Sequence, residues 1–488
     1  MPTATMNDAT NNSNKSASVE SDKKVYTAAD IPALKASLHQ PNLDDATLLE
    51  TVRGFRKILS VEHNPPVKEI LASGVLPAFV QMLQLNDKPK VQFEAAWALT
   101  NIASTDETKA VVDGGAVPYF VQLLSSQDAD IREQCAWCLG NIAGDSPALR
   151  DMVLEAGAMA PLLLNITQPA NKSLFENCVW TLSNFCRGKP QPNLCRVSPA
   201  VPVLGQVLRG DNDTAKVDAL WALSYISDGD DDRIQSVVGS GLLDVLIEML
   251  GSDEPSIVTP ALRTVGNIVS GNDDQTQAVL NAGLMSRMVA LLHNPRRMIR
   301  KEACWVLSNI AAGTPEQISM VLKMGGMEQV CLMAKSAEWE VRKEAIWVVS
   351  NIVTGGTDNH IMSAVETGAI DAVCSILDIN DTKMLLLALE AVECILKLGA
   401  KLNKDYASFV DECDGLTKIE GLQEHESDEV YNKAINIIES FFGEDDGEED
   451  ENIAPEANGT TFSFGVKSID QDPAADTSIR TPFNFAQV

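Results

Sequence analysis

Apolar residues recur along most of this chain at spacings of three and four, and no alternating run of useful length appears. That periodicity predicts helices almost throughout and no sheet. The helices also repeat. Trp97, Trp137, Trp180, Trp221, Arg263, Trp305 and Trp347 follow one another at nearly constant spacing. Four residues after each marker stand Asn101, Asn141, Asn184, Tyr225, Asn267, Asn309 and Asn351. The surrounding strings agree, from AAWALTNIAS and CAWCLGNIAG to ACWVLSNIAA and AIWVVSNIVT. A second marker keeps the same beat: Gly74, Gly115, Gly157, Gly241, Gly283, Gly326 and Gly368 each precede an apolar stretch. These glycines suit helix ends that need a left-handed residue. Prolines such as Pro77 and Pro118 sit near the same breaks.

The period, roughly 42 residues, lies in the armadillo and HEAT range. Each unit reads as a short helix followed by two longer ones. One unit cannot bury its apolar face alone, so the units must stack around a continuous core. The predicted fold is all-α: a right-handed superhelical armadillo solenoid of about ten repeats with a concave face. The array extends beyond the tryptophans. VRGFRKILS (Val52 to Ser60) fits a repeat before Trp97, ALEAVECILKLG (Ala388 to Gly399) fits one after Trp347, and NKAINIIESFF (Asn432 to Phe442) fits a divergent last unit. The expected organisation is a disordered segment over 1–27, the array over 28–442 and an acidic disordered tail over 443–488. That tail opens with EDDGEEDE and ends in FSFG and PFNF motifs.

Composition narrows the partners. A formal net charge of -30 repels nucleic acid and favours basic proteins. The polar N-terminus does not read as a signal peptide, and no apolar run approaches the ~20 residues of a membrane helix. The ten cysteines then read as reduced thiols in helices, including Cys135 and Cys138, whose C-x-x-C has no second pair at zinc spacing. The five histidines (His39, His63, His293, His360, His425) are far apart, and no phosphate loop, nucleophile elbow or metal cluster appears. No cofactor, metal or enzymatic activity is expected.

The repeated pair carries the chemistry. Residues four apart share a helix face, so stacking lines up a row of indoles beside a row of carboxamides. In one repeat, a Trp in the core and an Asn bonded to its own helix would be the ordinary explanation. Asn is a mediocre helix former, however, and it recurs six times in register. A carboxamide both donates and accepts, so it can hold an extended peptide backbone. Indole faces can sandwich a Lys or Arg stem, with cation–π attraction of about 0.5–2 kcal/mol per contact. Asp145, Asp218, Asp228, Glu302 and Glu344 lie within a turn of the ladder and can answer the charge, although each alone could be an ordinary surface carboxylate.

The strings WALTNIAS, LGNIAGD and WALSYISDG, with W-x-x-x-N repeated on the last helix of each unit, resemble the importin-α family from about residue 47 to 442. The resemblance implies an adaptor that binds nuclear localisation signals of cargo proteins and shuttles between cytoplasm and nucleus. It implies a major signal site at Trp97, Asn101, Trp137, Asn141, Trp180 and Asn184. There Asp145 meets the key lysine, and Ser104, Thr108 and Gln134 give polar support. A minor site follows at Trp305, Asn309, Trp347 and Asn351, with Glu302, Glu344 and Thr276. The stretch joining them (Trp221, Tyr225, Asp218, Asp228, Arg263, Asn267) is counted with the minor site. There Arg263 is expected to repel a basic peptide and Pro260 to disturb its helix. The resemblance also implies binding of importin-β and of the family's export receptor through the C-terminal repeat. Before Arg53 the chain holds Lys15, Lys23, Lys24 and Lys35 but no arginine, so the family's Arg-rich importin-β-binding segment is not recognised there. The expectation is a face open to basic peptides without importin-β. The alternative is an armadillo scaffold or cytosolic holder of basic proteins uncoupled from importin-β.

Overall fold

The structure, a computed structural model, describes residues 25–443 together with 456–458 and 461–463. It forms two compact units, one ending at Ile376 and one beginning at Leu377. The expected disorder of residues 1–24, the EDDGEEDE run and the PFNF motif lie outside the described residues. Tyr26 already belongs to the array: its ring is buried in a notch left by Gly54, and its hydroxyl donates to Glu50 Oε1 at 2.8 Å.

The first unit is built from one recurring triplet, for example Val67–Ser73, Leu76–Met82 and Pro89–Ala103. Local sequence sets its boundaries. Asp128, Asn171 and Asn212 cap the third helices of successive repeats by accepting backbone N–H groups. The turn after the first helix uses a left-handed residue at Gly74, Gly115, Gly157, Gly241, Gly283 and Gly368, with φ from 70° to 101°. A Cβ at Gly74 would meet nothing within 4 Å, so glycine is required there by conformation rather than by space. In the Met324–Gly325–Gly326 turn the left-handed residue is Gly325, with φ 81°, and not Gly326 as the repeat alignment predicts. Gly325 takes the left-handed place in open space, while a Cβ at Gly326 would stand 3.0 Å from Leu292 and Met324, so the second glycine serves close packing.

The third helices pack on one another from repeat to repeat, and each buries eight to ten of its side chains while most of its charged residues gather in the first turns. Phe55, Phe79, Phe120 and Phe185 are fully buried in this core, and Phe55 meets Phe79 edge-on at 5.4 Å. Pro260 does not break its helix. Pro255–Ile268 runs through it, because a proline inside a helix removes one N–H and packing supplies the rest.

The second unit holds the long helix Thr382–Leu402 and the shorter Tyr406–Glu412, Gly415–Gly421 and Asp428–Phe441. Asn403, left-handed at φ 54°, ends the long helix. Glu393 joins Lys397 at 2.6 Å and also pairs with Lys433 of the last helix. A two-stranded antiparallel hairpin, Glu456–Asn458 with Thr461–Ser463, lies in the stretch for which no regular structure is predicted. Among the described residues no helix is long and apolar enough to cross a membrane.

Candidate functional site

The six tryptophans of the ladder are all half-buried: Trp97, Trp137, Trp180, Trp221, Trp305 and Trp347 each keep part of the indole open while the residues before and after are sealed. Their inner edges rest on the preceding repeat. A Cβ on Gly140 would stand 2.5 Å from Trp180 Cζ3, and one on Gly266 would stand 2.1 Å from Trp305 Cζ3. Both glycines immediately precede a ladder amide. Thr100, Ser183, Ser224, Ser308 and Ser350 hold that same position, so it is small in every repeat. This row of small residues is legible in the aligned strings, and reading the pair alone overlooks it.

The amides divide their work. Asn141 Nδ2 donates to Thr100 O (3.5 Å), Asn267 Nδ2 to Ser224 O (2.8 Å) and Asn351 Nδ2 to Ser308 O (2.9 Å). Each reaches the residue just before the equivalent position one repeat earlier, so the amide ladder stitches neighbouring repeats together. Asn101, at the start, donates instead to Ser60 Oγ at 2.9 Å. A carboxamide has two N–H groups and an oxygen with two lone pairs, so one stitch leaves capacity for a ligand. Among the enclosed polar atoms with no hydrogen-bond partner are Asn141 Oδ1, Gln134 Oε1 and Asn309 Nδ2. Buried polar atoms are seldom left orphaned, and these three lie on or within a turn of the ladder. A cavity beside the first two rungs is lined by Trp97, Asn101, Trp137, Asn141, Ser104 and Arg56.

The acids differ from one another. Asp145 is exposed at the end of the Asn141 helix, and no hydrogen bond or ion pair engages its side chain among the described residues. Asp228 is held by Lys189, 3.0 Å away. Glu302 is buried and gripped by Arg263, whose Nε lies 2.8 Å from Oε2 while Nη2 reaches Oε1. Glu302 is therefore spent within the chain. Arg263, expected to repel, is instead neutralised, and its guanidinium lies 5.5 Å from the Trp305 ring centroid. At this rung the chain's own arginine lies against the next indole, where six other repeats place a tryptophan. Thr108 and Thr276 are also buried, with their hydroxyls bonded to the backbone carbonyls of Ala103 and Val269, so neither hydroxyl is aimed outward. Tyr225 stacks on Trp221 at 6.0 Å and replaces the amide with an aromatic wall.

Asp218 and Glu344, each three residues before a ladder tryptophan, are half-buried, with no cation in ion-pair contact among the described residues. Burial, then repulsion from Glu176, pushes the Asp218 carboxyl up to about 7. Burial also raises Glu344, partly opposed by Lys301. A carboxyl that holds its proton more tightly when folded stabilises the fold at low pH. That contribution is lost as pH rises from about 4 to about 7. Asp218→Asn should therefore flatten the decline in urea-unfolding free energy across this window relative to wild type. Parallel pH profiles for the two proteins would show that Asp218 is not the group responsible.

Cys135 and Cys138 are free and fully buried inside their helix, and burial raises both thiols far above the ordinary range. No cluster of metal-ligating side chains occurs among the described residues.

Stacked three-helix units with small residues, amides and indoles in register define an armadillo-repeat protein. An armadillo/β-catenin-like repeat model matches residues 63–104, 104–144, 230–270 and 272–312, and a model for an atypical Arm repeat matches 404–456. The chain belongs to the importin-α family. It is 55% identical to importin subunit alpha-2 of Arabidopsis thaliana over 435 residues, covering 86% of this chain and 81% of that protein. It is 45% identical to importin subunit alpha-1b of Oryza sativa subsp. japonica, covering 86% and 80%. A solved engineered protein superposes with a TM-score of 0.76 at 28% identity, covering 84% of this chain and 98% of its own.

Proposed function

We propose that this protein is a nuclear-import adaptor that holds the basic localisation signals of cargo proteins, in extended form, along the Trp/Asn face. The observation that carries this reading is the register of six half-exposed indoles and six carboxamides along the third helices, five of them paired as W-x-x-x-N. The first stretch runs over Trp97, Trp137 and Trp180, with Asp145 as its open carboxylate. The second runs over Trp305 and Trp347, with Glu344. Between them Arg263 fills its own slot. In this reading cargo is bound in the cytoplasm, carried with importin-β and released in the nucleus. The adaptor then returns with an export receptor that engages the C-terminal repeats.

The test is a titration of the full chain with a fluorescent lysine-rich peptide and with a glutamate-rich peptide of equal length. Micromolar or tighter binding of the first alone is the expected result, and equal or absent binding of both would sink the reading. A pull-down with importin-β then separates a carrier-coupled adaptor, which is retained, from a holder of basic proteins, which is not.

A further inference from the structure

Arginine takes the place of the ladder tryptophan twice. Arg263 is the gap already described. The other is Arg56, one repeat before Trp97, with Ser60 in the amide position. The two build the same clamp. Arg56 lies with its Cζ 4.2 Å from the Trp97 ring centroid, as Arg263 lies over Trp305. Glu94, three residues before Trp97, grips Arg56, as Glu302, three before Trp305, grips Arg263. Glu94 is also shared: its two oxygens accept from Arg53 Nε at 2.8 Å and Arg56 Nε at 2.9 Å, and its side chain is 5% exposed. Arg53 is held in turn by Glu50, which accepts from Tyr26. A continuous polar chain thus runs from the first buried residue of the array to the first indole and fixes the Arg56 guanidinium in place.

An incoming cation at this end finds one indole face covered, the nearby carboxylate saturated by two arginines and a fixed positive charge in the seat. We infer that Arg56 is a specificity-determining residue that occupies the outermost cation seat of the first stretch, so that a bound basic peptide is registered from the Trp97–Trp137 gap onward. The inference rests on the peptide-binding reading above and adds where the peptide's cationic run must stop. Ser60 Oγ is used to accept from Asn101.

The experiment uses the full chain carrying Trp347→Ala, which silences the second stretch, and oligolysine peptides of increasing length. In the parent protein, affinity should rise with length and then level off. In Arg56→Ala the plateau should come later, with the next lysines adding about fivefold to tenfold in affinity, the worth of one cation–π seat. Arg56→Lys keeps both a stem over the indole and a positive charge beside Glu94 and should keep the parent plateau, with a melting temperature that shows the repeat is folded. The same plateau length in Arg56→Ala and parent would overturn the assignment, as would a longer plateau in Arg56→Lys. If oligolysine does not bind the parent at all, the peptide-binding reading itself fails. Binding with an unmoved plateau removes only the role of Arg56.

Discussion

Trp137→Ala combined with Asn141→Ala should weaken a lysine-rich peptide by roughly 2–4 kcal/mol, the magnitude of a central hot spot. Trp137 is the middle indole of the first stretch, with Trp97 before it and Trp180 after it, so its loss opens two slots at once. Asn141 contributes differently: in the proposed reading its carboxamide clamps the peptide backbone rather than a side chain. Its Nδ2 also donates to Thr100 O, so part of any effect of Asn141→Ala will be structural. The double variant should therefore be read beside its melting curve and beside Leu164→Ala with Met152→Ala, two exposed apolar residues off the ladder. Isothermal titration with all three proteins decides the matter. If the ladder variant and the surface variant bind alike, the peptide is held elsewhere.

Arg150→Met should destabilise the first unit by about 1–3 kcal/mol, the cost of removing a buried donor from the backbone acceptors it serves. The Arg150 side chain is wholly buried. Its guanidinium donates to the carbonyls of Arg187 (2.7 Å), Gly188 (3.4 Å) and Pro190 (2.9 Å) and meets Asp151 at 2.8 Å. These carbonyls belong to the segment that leaves the Asn184 helix, and Arg233 holds the same segment at Pro192. Methionine fills similar volume but removes the donor to three backbone carbonyls and the ion pair with the half-exposed Asp151. Lysine would restore only one charge on a point donor, so Arg150→Lys should recover little. Urea unfolding at neutral pH reads the effect, and a loss below about 1 kcal/mol would show that this network is not what anchors the segment. The consequence reaches the ladder: Lys189 sits in this segment and neutralises Asp228. Loosening it should free that carboxylate.

Both predictions rest on features of unequal legibility. The period of the tryptophans, the helical spacing within each unit and the left-handed glycines at Gly74, Gly115 and Gly157 are local patterns. Local sterics and apolar periodicity determine them, so the armadillo fold and the identity of the ladder could be read from the chain alone. The Arg150 network could not be read, because its acceptors are backbone carbonyls of the next repeat, which no side-chain pattern marks. The same holds for the amides. Sequence places Asn141, Asn267 and Asn351 on one face, but only stacking brings each within reach of the preceding repeat and fixes how much of it remains for a ligand.

The charged residues show the division most clearly. Sequence determined which acids lie near the ladder, since a position three before a tryptophan or four after an asparagine is a matter of helix geometry. Tertiary structure decided which of them are free. Glu302 and Glu94 are consumed by Arg263 and by Arg53 with Arg56, and Asp228 by Lys189, whereas Asp145, Asp218 and Glu344 are left open. Helical periodicity is a property of near neighbours and is written in the chain. Ion pairing depends on which repeat comes to rest against which, and that is settled only when the helices pack.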